Sequence, residues 1–340
     1  MTWGVVWSSA MKTWKAVVAA VVGIAGVLTG CSSKTRVGDM ADRRGDEIVV
    51  AGRYFHTGTP VVLWTDAGGY DGYRTERRFV PRDQMEWEKS KDKLATPARY
   101  GIRAAGLTDA EFERVRGGGW TLEDLRGRVD QFVIHYDVCG VSRDCFRVLH
   151  DARGLSVHFL LDIDGTIYQT LDVKERAFHA TIANDRSVGI EIANMGAYPK
   201  LEGSPLEKWY GRDEAGRWRV TLPGSKGDGG VRTEGFIGYP ERLVTGELQG
   251  QELTMFDLTK EQYEALIKLT AALHRALPGI ALDYPRGADG GVDPETLSPE
   301  AFAAFRGLLG HWHVQKNKVD PGPAFDWDRV IEGAKRELGE

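Results

Sequence analysis

Residues Ser187–Asn194 read SVGIEIAN, and no other stretch constrains the fold as tightly. Val188, Ile190 and Ile192 alternate along it, the period of a strand with a buried face. The opposite face carries Gly189, Glu191 and Ala193. A carboxylate on a small-residue face of a central strand is costly unless it has a partner. A metal-activated water would be such a partner. The rest of the chain must therefore supply a sheet around this strand and something for Glu191 to act on.

Gln131–Tyr136 (QFVIHY) reads as a second buried strand, ending in His135-Tyr136-Asp137. A histidine at the C-terminal end of a strand sits where α/β proteins gather their sites, although alone it would read as a core histidine. Ser156–Asp162 and Thr166–Thr170 flank Ile163-Asp164-Gly165, and Asp-Gly between strands is a strong hairpin signal. His158 lies in the first run, where a structural role suits it at least as well as a site role.

Gly310–Phe325 reads GHWHVQKNKVDPGPAF. Histidine nitrogen and aspartate oxygen suit zinc, which makes His311 and Asp320 candidate ligands. Pro321-Gly322-Pro323 stiffens the backbone just after the aspartate. Lys318, two residues before it, shares its face if the chain is extended. His313 is a rival to His311.

Helix signals surround these runs. Thr108 with Glu111, and Thr259 with Gln262, have capping-box spacing; Asp326 caps the last helix. Ser142 is placed as the cap of a short helix carrying Cys145, Phe146 and Leu149. Ser298-Pro299 starts a helix with Phe302, Phe305, Leu308 and Leu309 inward, which would deliver His311 at a helix end. Ile48–Val50 and Val61–Trp64 flank Thr57–Pro60 and read as strands around a turn. His56, nearby, reads as a structural or surface residue.

Val17–Leu28 is apolar and follows Lys12 and Lys15; it is too short for a typical membrane span and fits a signal-peptide core. It ends in Leu28-Thr29-Gly30-Cys31, which resembles the bacterial lipobox with Cys31 as the lipidated residue. Met1 or Met11 is the start. The mature protein is then expected in the cell envelope, lipid-anchored to a membrane; Ser32 after the cysteine resembles the signal for the outer membrane facing the periplasm. In that oxidising compartment Cys139 and Cys145 can form a disulfide, contributing roughly 2–3 kcal/mol. A zinc-bound pair is the rival, but no second cysteine pair exists to complete such a site.

The domain reading is residues 1–30 signal peptide, 31–120 tether and accessory region, and 121–340 catalytic domain with an insert at about 198–252. The insert is rich in glycine and aromatics and reads either as a wall of the cleft or as decoration. A net charge of −5 over 340 residues, with no Lys/Arg block, argues against a nucleic-acid partner.

Together VIHYD, C-x5-C, SVHFLLDIDGTIYQ, FHA, SVGIEIAN and GH…K-x-DPGP resemble the type-2 N-acetylmuramoyl-L-alanine amidases. The resemblance implies an α/β fold of the peptidoglycan-recognition-protein kind, with helices flanking a mixed central β-sheet. It implies Zn2+ held by His135, His311 and Asp320, Glu191 as the base and Lys318 as the oxyanion stabiliser. His179, in FHA, matches a substrate-binding histidine, with Phe178 and Thr181 departing from the family's Trp and Gly. The implied reaction is hydrolysis of the amide between N-acetylmuramic acid and L-alanine in peptidoglycan or muropeptides. A non-catalytic peptidoglycan receptor and a zinc peptidase of the stem peptide are the alternatives.

Overall fold

The computed structural model describes residues 35–340. Val17–Leu28 and Cys31 lie outside the described residues. The chain opens with β1 (Glu47–Val50) and β2 (Arg53–His56), an antiparallel hairpin closed by Ala51 and Gly52. Both turn residues have positive φ, 50° and 70°, the twist a two-residue hairpin loop needs. β3 (Val61–Leu63) does not pair with β1 as the strand-turn-strand pattern suggests; it crosses to the central sheet. β4 (Tyr100–Ile102) follows, then α1 (Asp109–Arg116) and α2 (Leu122–Arg126), each begun by a capping box, Thr108–Glu111 and Thr121–Asp124.

β5 (Gln131–Tyr136) is the strand expected from QFVIHY. α3 (Ser142–Phe146) starts one residue earlier than the sequence implies: Val141 is its cap, and Ser142 Oγ is buried without a partner. β6 (Phe159–Leu161) and β7 (Ile167–Gln169) form the hairpin foreseen at Asp164-Gly165, with Gly165 at φ 81°. β8 (Glu175–Ala177) pairs with β4, and β9 (Ser187–Ile192) is the glutamate strand.

The insert folds rather than trailing as a loop. It holds α4 (Leu206–Trp209), a hairpin of β10 (Tyr210–Arg212) and β11 (Trp218–Val220), and a longer hairpin of β12 (Leu243–Leu248) and β13 (Gln251–Phe256). α5 (Lys260–Ala276) has its expected capping box. α6 (Pro299–Ala304) stops short, and Gly307–Gly310 is β14, parallel to β5, not the end of a helix. Gly307 makes the change possible: φ is 132°, and a Cβ there would meet the Asp283 carbonyl oxygen at 2.5 Å. α7 (His311–Val314) and α8 (Trp327–Leu338) end the chain.

The central sheet has the order β14-β5-β9-β6-β7-β3, parallel except at β6–β7. α5 and α8 cover one face, packing Leu266, Leu269, Val330 and Ile331 with Phe132, Ile134, Val188 and Ile190. On the other face α3 packs Cys145 and Phe146 on Leu160 and Tyr168, and α6 packs Phe302 on Val133 and Leu309. This is the α/β architecture, a mixed central sheet flanked by helices, that the resemblance implies.

The described part of residues 31–120 is not set apart from this core. Val37, Ile48, Val50 and Phe55 belong to the main apolar cluster. Gln169 bonds both the amide and the carbonyl of Val49, at 2.7 and 2.8 Å, and Asp172 accepts from the Ala51 and Gly52 amides. Polar composition suggests a tether at Ser32–Glu47. Part of it is instead tied down by bonds, as Glu47 Oε2 accepts from three backbone amides.

Candidate active site

Three parallel strands end side by side. His135 lies near the end of β5, Glu191 is its register partner on β9, and His311 follows β14 directly. The C-terminal edge of parallel strands is where open α/β sheets hold ligands. The Lys318–Pro323 turn folds back over it, and the Asp320 carbonyl accepts from the His311 amide at 2.9 Å. His135 Nδ1 and His311 Nδ1 are 3.0 Å apart, and Asp320 Oδ2 lies 2.8 and 3.0 Å from them. All three residues are buried, and they form a set able to hold a metal ion.

The far nitrogens of both rings are engaged. His311 Nε2 donates to Gln315 Oε1 at 2.8 Å. His135 Nε2 donates to His179 Nδ1 at 3.0 Å, and His179 Nε2 donates to Ser187 Oγ at 3.2 Å. These bonds fix the tautomer that leaves each Nδ1 lone pair facing the other ligands, as metal-binding histidines require. His179 therefore both borders the cleft and orients His135, a second role the FHA motif did not suggest. Gly189 provides its berth, since a Cβ there would come within 2.5 Å of His179 Nδ1.

Burial keeps His135 and His179 neutral. It pulls the His135 pKa down to about 4, with the His311 ring adding to the effect, and holds His179 well below its ordinary value. Asp320 is held below the carboxylate range by the two imidazoles, which outweigh its burial. Glu191 is pushed well above the usual value, chiefly by burial and then by Asp320 and Asp137; Lys318 opposes this. All these groups line one cleft of about 470 Å³, with Phe178, Val148, Leu149 and Leu155 as its apolar wall.

Other polar residues sort themselves by contact. His313 is not a ligand: its Nδ1 accepts from the Gly310 amide and its Nε2 donates to the Asp293 carbonyl. His158 is structural, accepting from the Gly189 amide and donating to the Glu175 carbonyl. Cys139 and Cys145 are free cysteines here, not the disulfide expected from their spacing, and both border the cleft. Interaction with the Cys145 thiol lowers the Cys139 pKa, and burial raises that of Cys145. Gln315 and Ser187 were missed. Gln315 lies four residues after His311, the spacing of neighbours on one helix face, and that was the available signal.

Fold and site together define a hydrolase with a metal-binding triad at the mouth of a parallel sheet. The sequence model of one family, N-acetylmuramoyl-L-alanine amidase (Amidase_2), matches residues 125–323, and the chain belongs to that family. It is 21% identical over 220 residues to the 1,6-anhydro-N-acetylmuramyl-L-alanine amidase AmpD of Haemophilus influenzae, covering 64% of this chain and 74% of that one. Among solved structures, a selenomethionine AmpD derivative is 18% identical with a TM-score of 0.32, covering 71% of this chain and 93% of that one. The E. coli amidase AmiD, in complex with anhydro-N-acetylmuramic acid-L-Ala-D-γ-Glu-L-Lys, is 18% identical with a TM-score of 0.35, covering 61% and 57%.

Proposed function

We propose that the protein hydrolyses the amide between N-acetylmuramic acid and L-alanine in peptidoglycan or muropeptides, with Zn2+ held by His135, His311 and Asp320. The observation that carries this reading is the convergence of two imidazole Nδ1 atoms and one carboxylate oxygen within 3.0 Å beside the half-buried Glu191. Two nitrogens and an oxygen fit zinc, and three protein ligands is the number a catalytic site uses. Bound there, zinc supplies Lewis acidity toward the scissile carbonyl and lowers the pKa of water to about 7. Glu191, its proton affinity raised by burial, takes the proton of the attacking water and returns it to the leaving amine. Lys318 donates to the oxygen that gains charge. Gln315 and His179 hold the two ligand rings still.

Zinc content by atomic spectroscopy and released stem peptides by mass spectrometry test this. Asp320→Ala should lose one equivalent of zinc and all amidase activity. Glu191→Gln should keep that zinc and lose about 10²–10⁴-fold in rate. A wild-type chain that binds peptidoglycan but holds no zinc and releases no peptide would be a receptor.

We also propose that Cys31 carries a lipid, placing the enzyme at the outer membrane facing the periplasm, and that Cys139 and Cys145 become joined there. The supporting features are the Leu28–Cys31 run and the two cysteines bordering the same cleft and packed in one cluster. Cys31→Ala should abolish palmitate labelling, and Cys139 and Cys145 should resist alkylation until reduced. Labelling that persists, or two free thiols in envelope protein, counts against the respective claim.

A further inference from the structure

The β1–β2 hairpin holds a second set of donors that the amidase chemistry does not use. Glu47 opens β1 and His56 closes β2, and the register pairs them directly. With the adjacent Asp46 they bring two carboxylate oxygens and a ring nitrogen within 4.8 Å of one another. His56 Nδ1 lies 3.2 Å from Asp46 Oδ2.

Glu47 is the informative member, because its side chain is only 1% exposed. Its Oε2 accepts from the Arg44, Gly45 and Asp46 amides at 2.6, 3.1 and 3.3 Å and from Arg43 at 3.4 Å. Its Oε1 has no partner, and neither has Asp46 Oδ1; both atoms are shut off from solvent. The two carboxyl groups nevertheless lie side by side, an oxygen of each within 4.8 Å of the other. Carboxylates this close repel unless a positive charge sits between them. Arg43 does not reach that point: it serves Glu47 Oε2, Asp66 and the Val61 carbonyl.

We propose that Asp46, Glu47 and His56 bind a divalent first-row cation, distinct from the His135–His311–Asp320 centre, which clamps the hairpin. The imidazole among the donors favours zinc-like ions over calcium or magnesium. The framework is already built, since Thr57 donates to the Asp46 carbonyl from its amide and hydroxyl at 2.8 and 2.6 Å, and the Gly45 carbonyl accepts from Val61. His56 and Asp46 retain side-chain exposures of 19% and 32%, which gives the ion a way in.

The test counts metal in the full chain with Zn2+ alone as the probe. Wild type should hold two equivalents after gel filtration, and Asp320→Ala and His56→Ala one each. Adding Zn2+ should raise the Tm of Asp320→Ala but not that of Asp320→Ala/His56→Ala. His56→Ala should keep wild-type amidase kinetics, which certifies its fold. Should Asp320→Ala fold poorly, the comparison of wild type with His56→Ala decides alone. One equivalent in both overturns the proposal and leaves the amidase reading standing; the carboxyl pair then shares a proton instead. Uptake by Asp320→Ala that survives the loss of His56 overturns it as well.

Discussion

At Gly189 the strand carries no side chain, and the site depends on that. A methyl group there would drive into the His179 ring, which lies against β9 and accepts from His135. Gly189→Ala should therefore loosen His135 without touching a ligand. We expect zinc affinity to fall about 10–100-fold, the usual cost of losing a partner that orients a metal ligand. Activity should recover at high zinc. Competition against a chelator measures this, and an unchanged affinity would separate His179 from the metal centre. Glu191 stood out because a carboxylate on a small-residue face of a buried strand is penalised, whereas His135, His311 and Asp320 were joined as one set through the family resemblance, and the structure brings those three together. The choice of His311 over His313 came only from the residue before it. The structure gives the reason in the two backbone groups that hold the His313 ring. Ser187 left no trace in the sequence, since nothing in a strand's pattern says which hydroxyl will face a ring eight residues away.

Among the elements, β14 was the misreading with most consequence. Phe302, Phe305, Leu308 and Leu309 satisfy helical spacing, and a short apolar run cannot by itself tell strand from helix. What decides is tertiary: Leu308 and Leu309 find partners beside Phe132 and Val133 on β5. The insert was left open between a wall of the cleft and decoration. None of the residues lining the cleft comes from it, yet it backs the wall, for Trp209 packs where a Cβ on Gly140 would stand, next to Cys139. Trp209 joins Val141, Met195, Leu206, Tyr210 and Phe256 in one buried cluster. Trp209→Ala should cost about 3–5 kcal/mol of stability, the range for removing a buried aromatic. In the reduced protein it should also speed alkylation of Cys139. A thermal melt within a degree or so of wild type would make the insert decoration after all.

For the molecule as a whole, acid is the natural stress, because buried neutral histidines tie its layers together. His158 links β9 to β8 through the Gly189 amide and the Glu175 carbonyl, and burial, helped by the nearby Arg103, lowers its pKa to about 3. The unfolded chain takes up this proton near pH 6.5. Stability from the neutral ring is thus complete above pH 6.5 and drains away as the pH falls toward 3, at up to about 1.4 kcal/mol per unit. Buried Asp162, with a pKa pushed up to about 7, works in the opposite sense, so a single-site comparison is the clean one. The Tm gap between wild type and His158→Gln should narrow from pH 7 to pH 5; parallel curves would refute the assignment. The six-stranded order was partly legible, since the buried runs and the Asp-Gly hairpin named four of its strands. β3 was legible as a strand but not its place, because a three-residue apolar run carries no sign of which distant edge it will join. That edge has a consequence for anyone shortening the chain. The family match begins at residue 125, well after β3. A fragment cut there would leave the backbone of β7 open along one side, a template on which a second copy could add its own strand. Residues 61–63 thus serve as a guard against self-association, supplied from a part of the chain that the family's own boundaries leave out.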